Sequence, residues 1–162
     1  MNQPSSRPGS SGFNEFPDAD WDLVEAATRK PLATICLLSA LAHHDLTDEI
    51  PTRLHVALPR GMHKPADSLS TALSWHVFSK DTFNVCRTTL RIPGTDLDIG
   101  LYEPERAIAD AFRFRSTLGH ETGRDALKEW LRRGGKPAHL LWVAEQLPNA
   151  RKPVSEALWY LA

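Results

Sequence analysis

Apolar side chains recur along this chain at two periods, and the switches between them mark its elements. Residues 1–17 show neither period. They are rich in Asn, Gln, Ser, Pro and Gly, a composition that buries too little apolar surface to offset its ordering entropy, so 1–19 is expected to be a disordered tail. From Asp20 to Ala27, acids at the start, including an Asp22-x-x-Glu25 pair, and nearby Trp21, Leu23 and Val24 predict a short helix. Pro31 suits a first helical turn. Leu32, Ile35, Cys36, Leu38, Leu41 and Ala42 are then apolar almost all round, predicting a buried central helix to about His44.

The period next shortens to two. Leu54, Val56 and Leu58 alternate with Arg53, His55 and Ala57, a half-buried strand ended by Pro59-Arg60-Gly61. Trp75, Val77 and Phe78 suggest a second strand within 73–79. Stretches 85–92 and 97–102 flank Pro93-Gly94-Thr95-Asp96, a turn signal that predicts a β-hairpin. Helical spacing then returns. Pro104 fits a first turn, and Ile108, Ala111, Phe112 and Leu118 mark one face of a helix over 105–118. Ala126, Leu127, Trp130 and Leu131 mark the next, closed by Gly134-Gly135. Leu140, Leu141, Val143, Ala144 and Leu147 follow Pro137 up to the stop at Pro148-Asn149, and Val154, Leu158 and Leu161 pattern a last short helix. This order predicts an α+β domain over 20–162. A small mixed or antiparallel sheet of about four strands would pack with a buried N-terminal helix and a C-terminal run of helices.

Composition adds exclusions. The chain is 41% hydrophobic and 24% charged, as expected for one ordinary core. No apolar stretch approaches the roughly 20 residues of a membrane span. The N-terminus lacks the apolar run of a signal peptide, so a cytoplasmic location is expected. Cys36 and Cys86 form no disulfide framework or metal motif and read as reduced core residues. Nineteen basic against twenty acidic residues leave a net charge of -1, so any nucleic-acid contact must rest on a local patch.

Such a patch is visible. From Arg106 to Lys136, eight basic residues face four acidic ones. Arg124, Lys128 and Arg132 share a helical face, and Asp110 can pair with both Arg106 and Arg113. A phosphate-binding or acidic-partner surface would draw on Arg106, Arg113, Arg115, Arg124, Lys128 and Arg132, with Arg53, Arg60 and Lys64 added from the first strand and its loop. The plain alternative is a solvated face laced with weak ion pairs.

Other chemistry has less support. His43 and His44 point about 100° apart on a helix and suit its C-terminus better than a shared metal. Asp96, Asp98, Glu103 and Glu105 invite a metal-dependent nuclease reading, but no acid-x-Lys pair accompanies them. Ser39 lacks a glycine-flanked turn, Cys86 lacks a histidine motif, and no glycine-rich phosphate loop follows a strand. No metal or cofactor is expected. The five tryptophans, Trp21, Trp75, Trp130, Trp142 and Trp159, lie within apolar periods and read as core and seam residues. Trp159 and Tyr160 alternatively form part of a protein-binding surface.

Three stretches together resemble the C-terminal domain of AbiEi-type antitoxins, the antitoxin half of type IV toxin-antitoxin systems of abortive phage infection. They are Ala33 to Leu41 with His44-Asp45-Leu46-Thr47 and Ile50-Pro51, then Val56-Ala57-Leu58-Pro59-Arg60-Gly61, then Tyr102 to Phe112 with Arg115 beyond. The likeness runs from about Leu23 to Trp130. The resemblance implies a bacterial antitoxin that counters a nucleotidyltransferase-like toxin and contributes to transcriptional regulation of its own operon by binding DNA. In that family an N-terminal winged helix-turn-helix reads DNA. Met1 to Asp20 is too short and too polar to hold one, which leaves three alternatives: a domain that keeps only neutralisation, one that relies on a separate DNA-binding protein, or a decayed copy. The family commonly has lysine where this chain has Arg106. The resemblance therefore implies a non-enzymatic protein acting on a toxin and, through its basic surface, on DNA. The alternatives are a nuclease-like domain using Asp96, Asp98 and Glu103, a solo interaction module whose helices from Pro137 onward self-associate, and an orphan regulator using its basic helices.

Overall fold

The computed structural model describes residues 20–65 and 72–161, and the expected tail over 1–19 lies outside them. The elements are α1 (Trp21–Arg29), β1 (Thr34–Ile35), α2 (Leu37–His43), β2 (Leu54–Pro59), β3 (Leu73–Phe78), β4 (Arg87–Arg91) and β5 (Asp98–Tyr102). Five helices follow: α3 (Pro104–Arg113), α4 (Arg115–Leu118), α5 (His120–Arg132), α6 (Pro137–Glu145) and α7 (Arg151–Leu161). The α+β class is as expected, with five strands among the described residues in place of about four.

The extra strand comes from the segment expected to begin the central helix. Thr34 and Ile35 occupy the middle of the sheet, whose order is β3-β2-β1-β5-β4. They run antiparallel to β2, opposite Ala57 and Val56, and parallel to β5, opposite Gly100 and Leu101. A run apolar on all sides describes a strand covered on both faces as well as a buried helix, and the β-branched Thr34-Ile35 pair favours the strand. The helix starts only at Leu37, whose φ of 51° makes the corner between the two. Likewise the helix expected over 105–118 breaks at Phe114 into α3 and α4.

Period-two alternation sorts the sheet's side chains between two clusters. Ile35, Val56, Ile99 and Leu101 join the main core with Ala26 and Ala27 of α1, whereas Cys36, Ala57, Phe78 and Tyr102 build a smaller one with Phe83. The expected hairpin is present, with β4 paired antiparallel to β5 from Arg87 opposite Tyr102 to Arg91 opposite Asp98. Cys86, expected in that strand, instead makes a turn with φ 57° just before it. At Gly100 a Cβ would collide with Thr34 and Arg87, so glycine lets the Arg87 side chain cross the sheet and donate to Thr34 Oγ1 at 2.7 Å.

Helix α3 organises the other layer, packing against α2, α5, α6 and α7. From Arg106 to Phe112 it is buried without interruption. No helix among the described residues is long and apolar enough to cross a membrane.

Candidate functional site

One consequence of that burial corrects a sequence expectation. Arg106, expected at a binding surface, is fully enclosed. Its Nε donates to Asp110 Oδ2 at 2.9 Å, and its Nη1 donates to the carbonyls of Thr82 and Val85 at 2.7 and 3.0 Å. The guanidinium also lies 4.2 Å from the ring centre of Tyr102 and 5.5 Å from that of Phe78. It therefore ties the turn between β3 and β4 to α3 and does not reach solvent. Arg113 completes the group, its Nε 3.2 Å from Asp110 Oδ1. Burial pushes the Asp110 carboxyl up from its ordinary range, opposed by the two guanidiniums beside it.

Only 9% of the Arg113 side chain is exposed, and Nη1 donates to the Pro148 carbonyl at 3.3 Å. That edge of Arg113 opens into a groove between the α3–α5 corner and the start of α7. One part, about 490 Å³, is lined by Arg113, Arg115, His120, Asn149 and Lys152. The other, about 420 Å³, shares Arg115 and His120 and adds Arg124, Glu156 and Tyr160. Both are within the size range of small-molecule clefts.

The positive charge of this groove is largely uncompensated. Arg115 spends one bond on the Phe112 carbonyl at the end of α3, at 2.7 Å, and neither Arg124 nor Lys152 has a carboxylate partner among the described residues. Glu156 is the single acid in the lining. The first turn of α7, which holds no acid, adds helix-dipole charge of the same sign, whereas Glu121 offsets that of α5. Gly119, the N-cap of α5, supplies no side-chain acceptor, and the first turn of α7 holds no acid but does hold Lys152. A cation at a helix N-terminus is electrostatically unfavourable on its own.

The remaining basic residues separate from this groove. Lys128 and Arg132, expected to act with Arg124, line a different cavity of about 580 Å³ with Asp45, Asp48, Glu49, Asp125 and Glu129. Arg132 is held by Glu129 at 2.6 and 2.9 Å, and Arg133 both pairs with Glu129 and donates to the His44 and Asp45 carbonyls at the end of α2. These two guanidiniums hold the Glu129 carboxyl down at about 2. Arg53 is exposed just before β2, beside Asp20 and Asp22, and Arg60 and Lys64 are exposed beyond its far end. Seven residues of extended chain put Arg53 and Arg60 roughly 20 Å apart, so they serve no common contact. Groove residues outside the expected set include His120, Asn149, Lys152, Glu156 and Tyr160. The signal for Lys152 was its place at the start of a helix, where the dipole disfavours it.

The acids of the nuclease reading do not converge. Asp98 begins β5 and pairs with Arg91 at 2.7 Å, whereas Glu103 lies past the other end of that strand as the N-cap of α3. Among the described residues no three His, Cys, Asp or Glu side chains could hold a metal ion. Two histidines do meet: His55 Nδ1 and His76 Nε2 are 2.9 Å apart on neighbouring strands. Burial, then the His55 and Lys64 charges, lower His76 to about 4, and burial followed by Arg53 lowers His55. A neutral pair sharing one proton in a hydrogen bond fits these surroundings.

The expected division of aromatics also changes. Trp130 is buried, but Trp21, Trp142 and Trp159 are exposed, the last at 84%. Tyr160 is equally exposed and stands at the groove's edge. No family model matches the chain, and no curated protein is significantly similar to it.

Proposed function

We propose that this protein is a non-catalytic, antitoxin-like binding domain that counters a nucleotidyltransferase-like toxin through its basic groove. The supporting observation is that Arg115, Arg124 and Lys152, none with a carboxylate partner among the described residues, line one groove beside the Asp110-paired Arg113, with Glu156 the one acid in the lining. Arg113 is fixed from behind by Asp110 and Pro148, so part of the ordering needed to bind an anion is already done in the free protein. The sequence likeness over Leu23 to Trp130 suggests the toxin class. The test is growth rescue on co-expression with the nucleotidyltransferase-like protein encoded beside this one. Rescue by the native chain and its loss in a folded Arg115→Glu, Arg124→Glu, Lys152→Glu variant is the expected result. No rescue by the native chain overturns the antitoxin reading.

A second reading has its own support. Trp142, Trp159 and Tyr160 leave apolar surface of α6 and α7 in solvent, as an interaction module would. A self-associating module predicts a dimer in sedimentation that Trp159→Glu disperses.

A further inference from the structure

We infer that the groove holds single-stranded nucleic acid, with backbone phosphates on Arg115, Arg124 and Lys152 and a base stacked on Tyr160. The inference rests on the reading of this groove as the functional surface, and names what it binds. Three features favour this ligand. First, the cations do not surround one point. Arg113 and Lys152 line one part of the groove, Arg124 the other, and Arg115 both. Positive charges spread over two adjoining hollows match a chain of successive phosphates better than one isolated anion.

Second, Tyr160 is 84% exposed beside Arg124 and makes no ring contact or hydrogen bond among the described residues. An exposed aromatic ring next to several cations is the arrangement on which unpaired bases stack. A duplex keeps its base faces covered, so this combination selects a single strand. Third, the groove walls are helices α3, α4, α5 and α7, with no free strand edge. An extended acidic peptide would find side-chain cations but no backbone ladder to join.

The measurement is fluorescence anisotropy of the full chain with labelled single-stranded RNA and DNA of about ten nucleotides, with the matching duplex and a polyglutamate peptide as comparators. Single strands are expected to bind most tightly. Three phosphate contacts predict about a 20-fold loss of affinity between 50 and 200 mM salt. Arg124→Glu should weaken binding and flatten that salt slope. Tyr160→Ala should weaken single-strand binding about fivefold or more without changing the slope, and Tyr160→Phe should bind like the native chain. Both positions are exposed, and matching melting temperatures will show that the variants remain folded. Duplex binding as tight as single-strand binding with Tyr160→Ala silent, or equal binding of polyglutamate, overturns the inference and leaves the groove as the functional surface. Growth rescue without any oligonucleotide binding also overturns it while leaving the antitoxin reading intact. Loss of both rescue and polyanion binding removes the two together.

Discussion

Arg106 and Arg124 belong to the same basic stretch of sequence, yet one is walled into the core and the other has no partner among the described residues. Arg106 gives hydrogen bonds to Asp110, Thr82 and Val85 and lies over two rings; Arg124 faces open groove. The difference is set by the helix each one occupies. Helix α3 is surrounded by four others, so an arginine on it must bring its counter-ion and acceptors into the core with it. Helix α5 has a solvent side, where an arginine can remain unpaired at little cost. Local charge density thus mixes two roles, a buried clamp that holds the β3–β4 turn and a surface available to a ligand.

The sharpest way to test this contrast is to remove one partner of the clamp. Asp110→Asn leaves Arg106 and Arg113 facing each other without their shared counter-charge, and breaking a buried pair this way costs about 3–5 kcal/mol. For a chain of this size that corresponds to a fall in Tm of roughly 6–20 °C by calorimetry. Arg124→Ala should stay within about 0.5 kcal/mol of the native chain. Equal losses for the two variants would mean that Arg124 is structural as well. A smaller but still clear loss is expected at Gly135, where a Cβ would run into the Trp130 indole. Gly135→Ala should destabilise by about 1–3 kcal/mol through forced repacking, measured by urea unfolding. It should leave oligonucleotide binding unchanged, because Trp130 is a core residue and no part of the groove.

Legibility in the sequence follows the same line. Alternation over Leu54 to Leu58 and the Pro93-Gly94 turn identified β2 and the hairpin, because a half-covered strand and a tight turn leave local marks. Thr34-Ile35 did not show as a strand, since full coverage erases alternation. The burial of Arg106 depends on how four helices close around α3, which no local pattern records. The groove was half visible. Arg113, Arg115 and Arg124 stood out as charge, but Lys152 and Tyr160 come from α7, some thirty residues beyond Arg124, and only tertiary packing brings them together.

The histidine pair of β2 and β3 offers a pH-dependent contrast with the groove. His76 is neutral in the fold and lowered to about 4, whereas it titrates near 6.5 once unfolded. The unfolded chain therefore binds more protons at acid pH, so this contribution is complete above 6.5 and is lost as pH falls toward 4. His55, Arg53 and Lys64 around it are all basic and give no rescue. Allowing for its partial exposure, the loss should be about 1–2 kcal/mol. His76→Gln should flatten this acid limb of the stability curve, and an unchanged limb would show that the histidine pair does not carry it.

The smallest expected effect divides the two cavities that flank α5. Arg132 shares a helical face with Arg124 in sequence, but in the fold it is locked bidentate to Glu129 beside an acidic cavity. Exposed pairs of this kind contribute little, so Arg132→Ala should change stability by no more than about 0.5 kcal/mol. Its effect on oligonucleotide binding should also be slight, since Arg132 lines the acidic cavity and not the groove that Arg124 lines. Removing Glu129 instead frees Arg132, while Arg133 keeps its bonds to the His44 and Asp45 carbonyls, and should tighten nonspecific retention at low salt. If Arg132→Ala weakens binding as much as Arg124→Ala does, the cationic track extends along the whole of α5. The division between ligand-facing and self-paired arginines then has to be drawn at Arg106 and Arg113 alone.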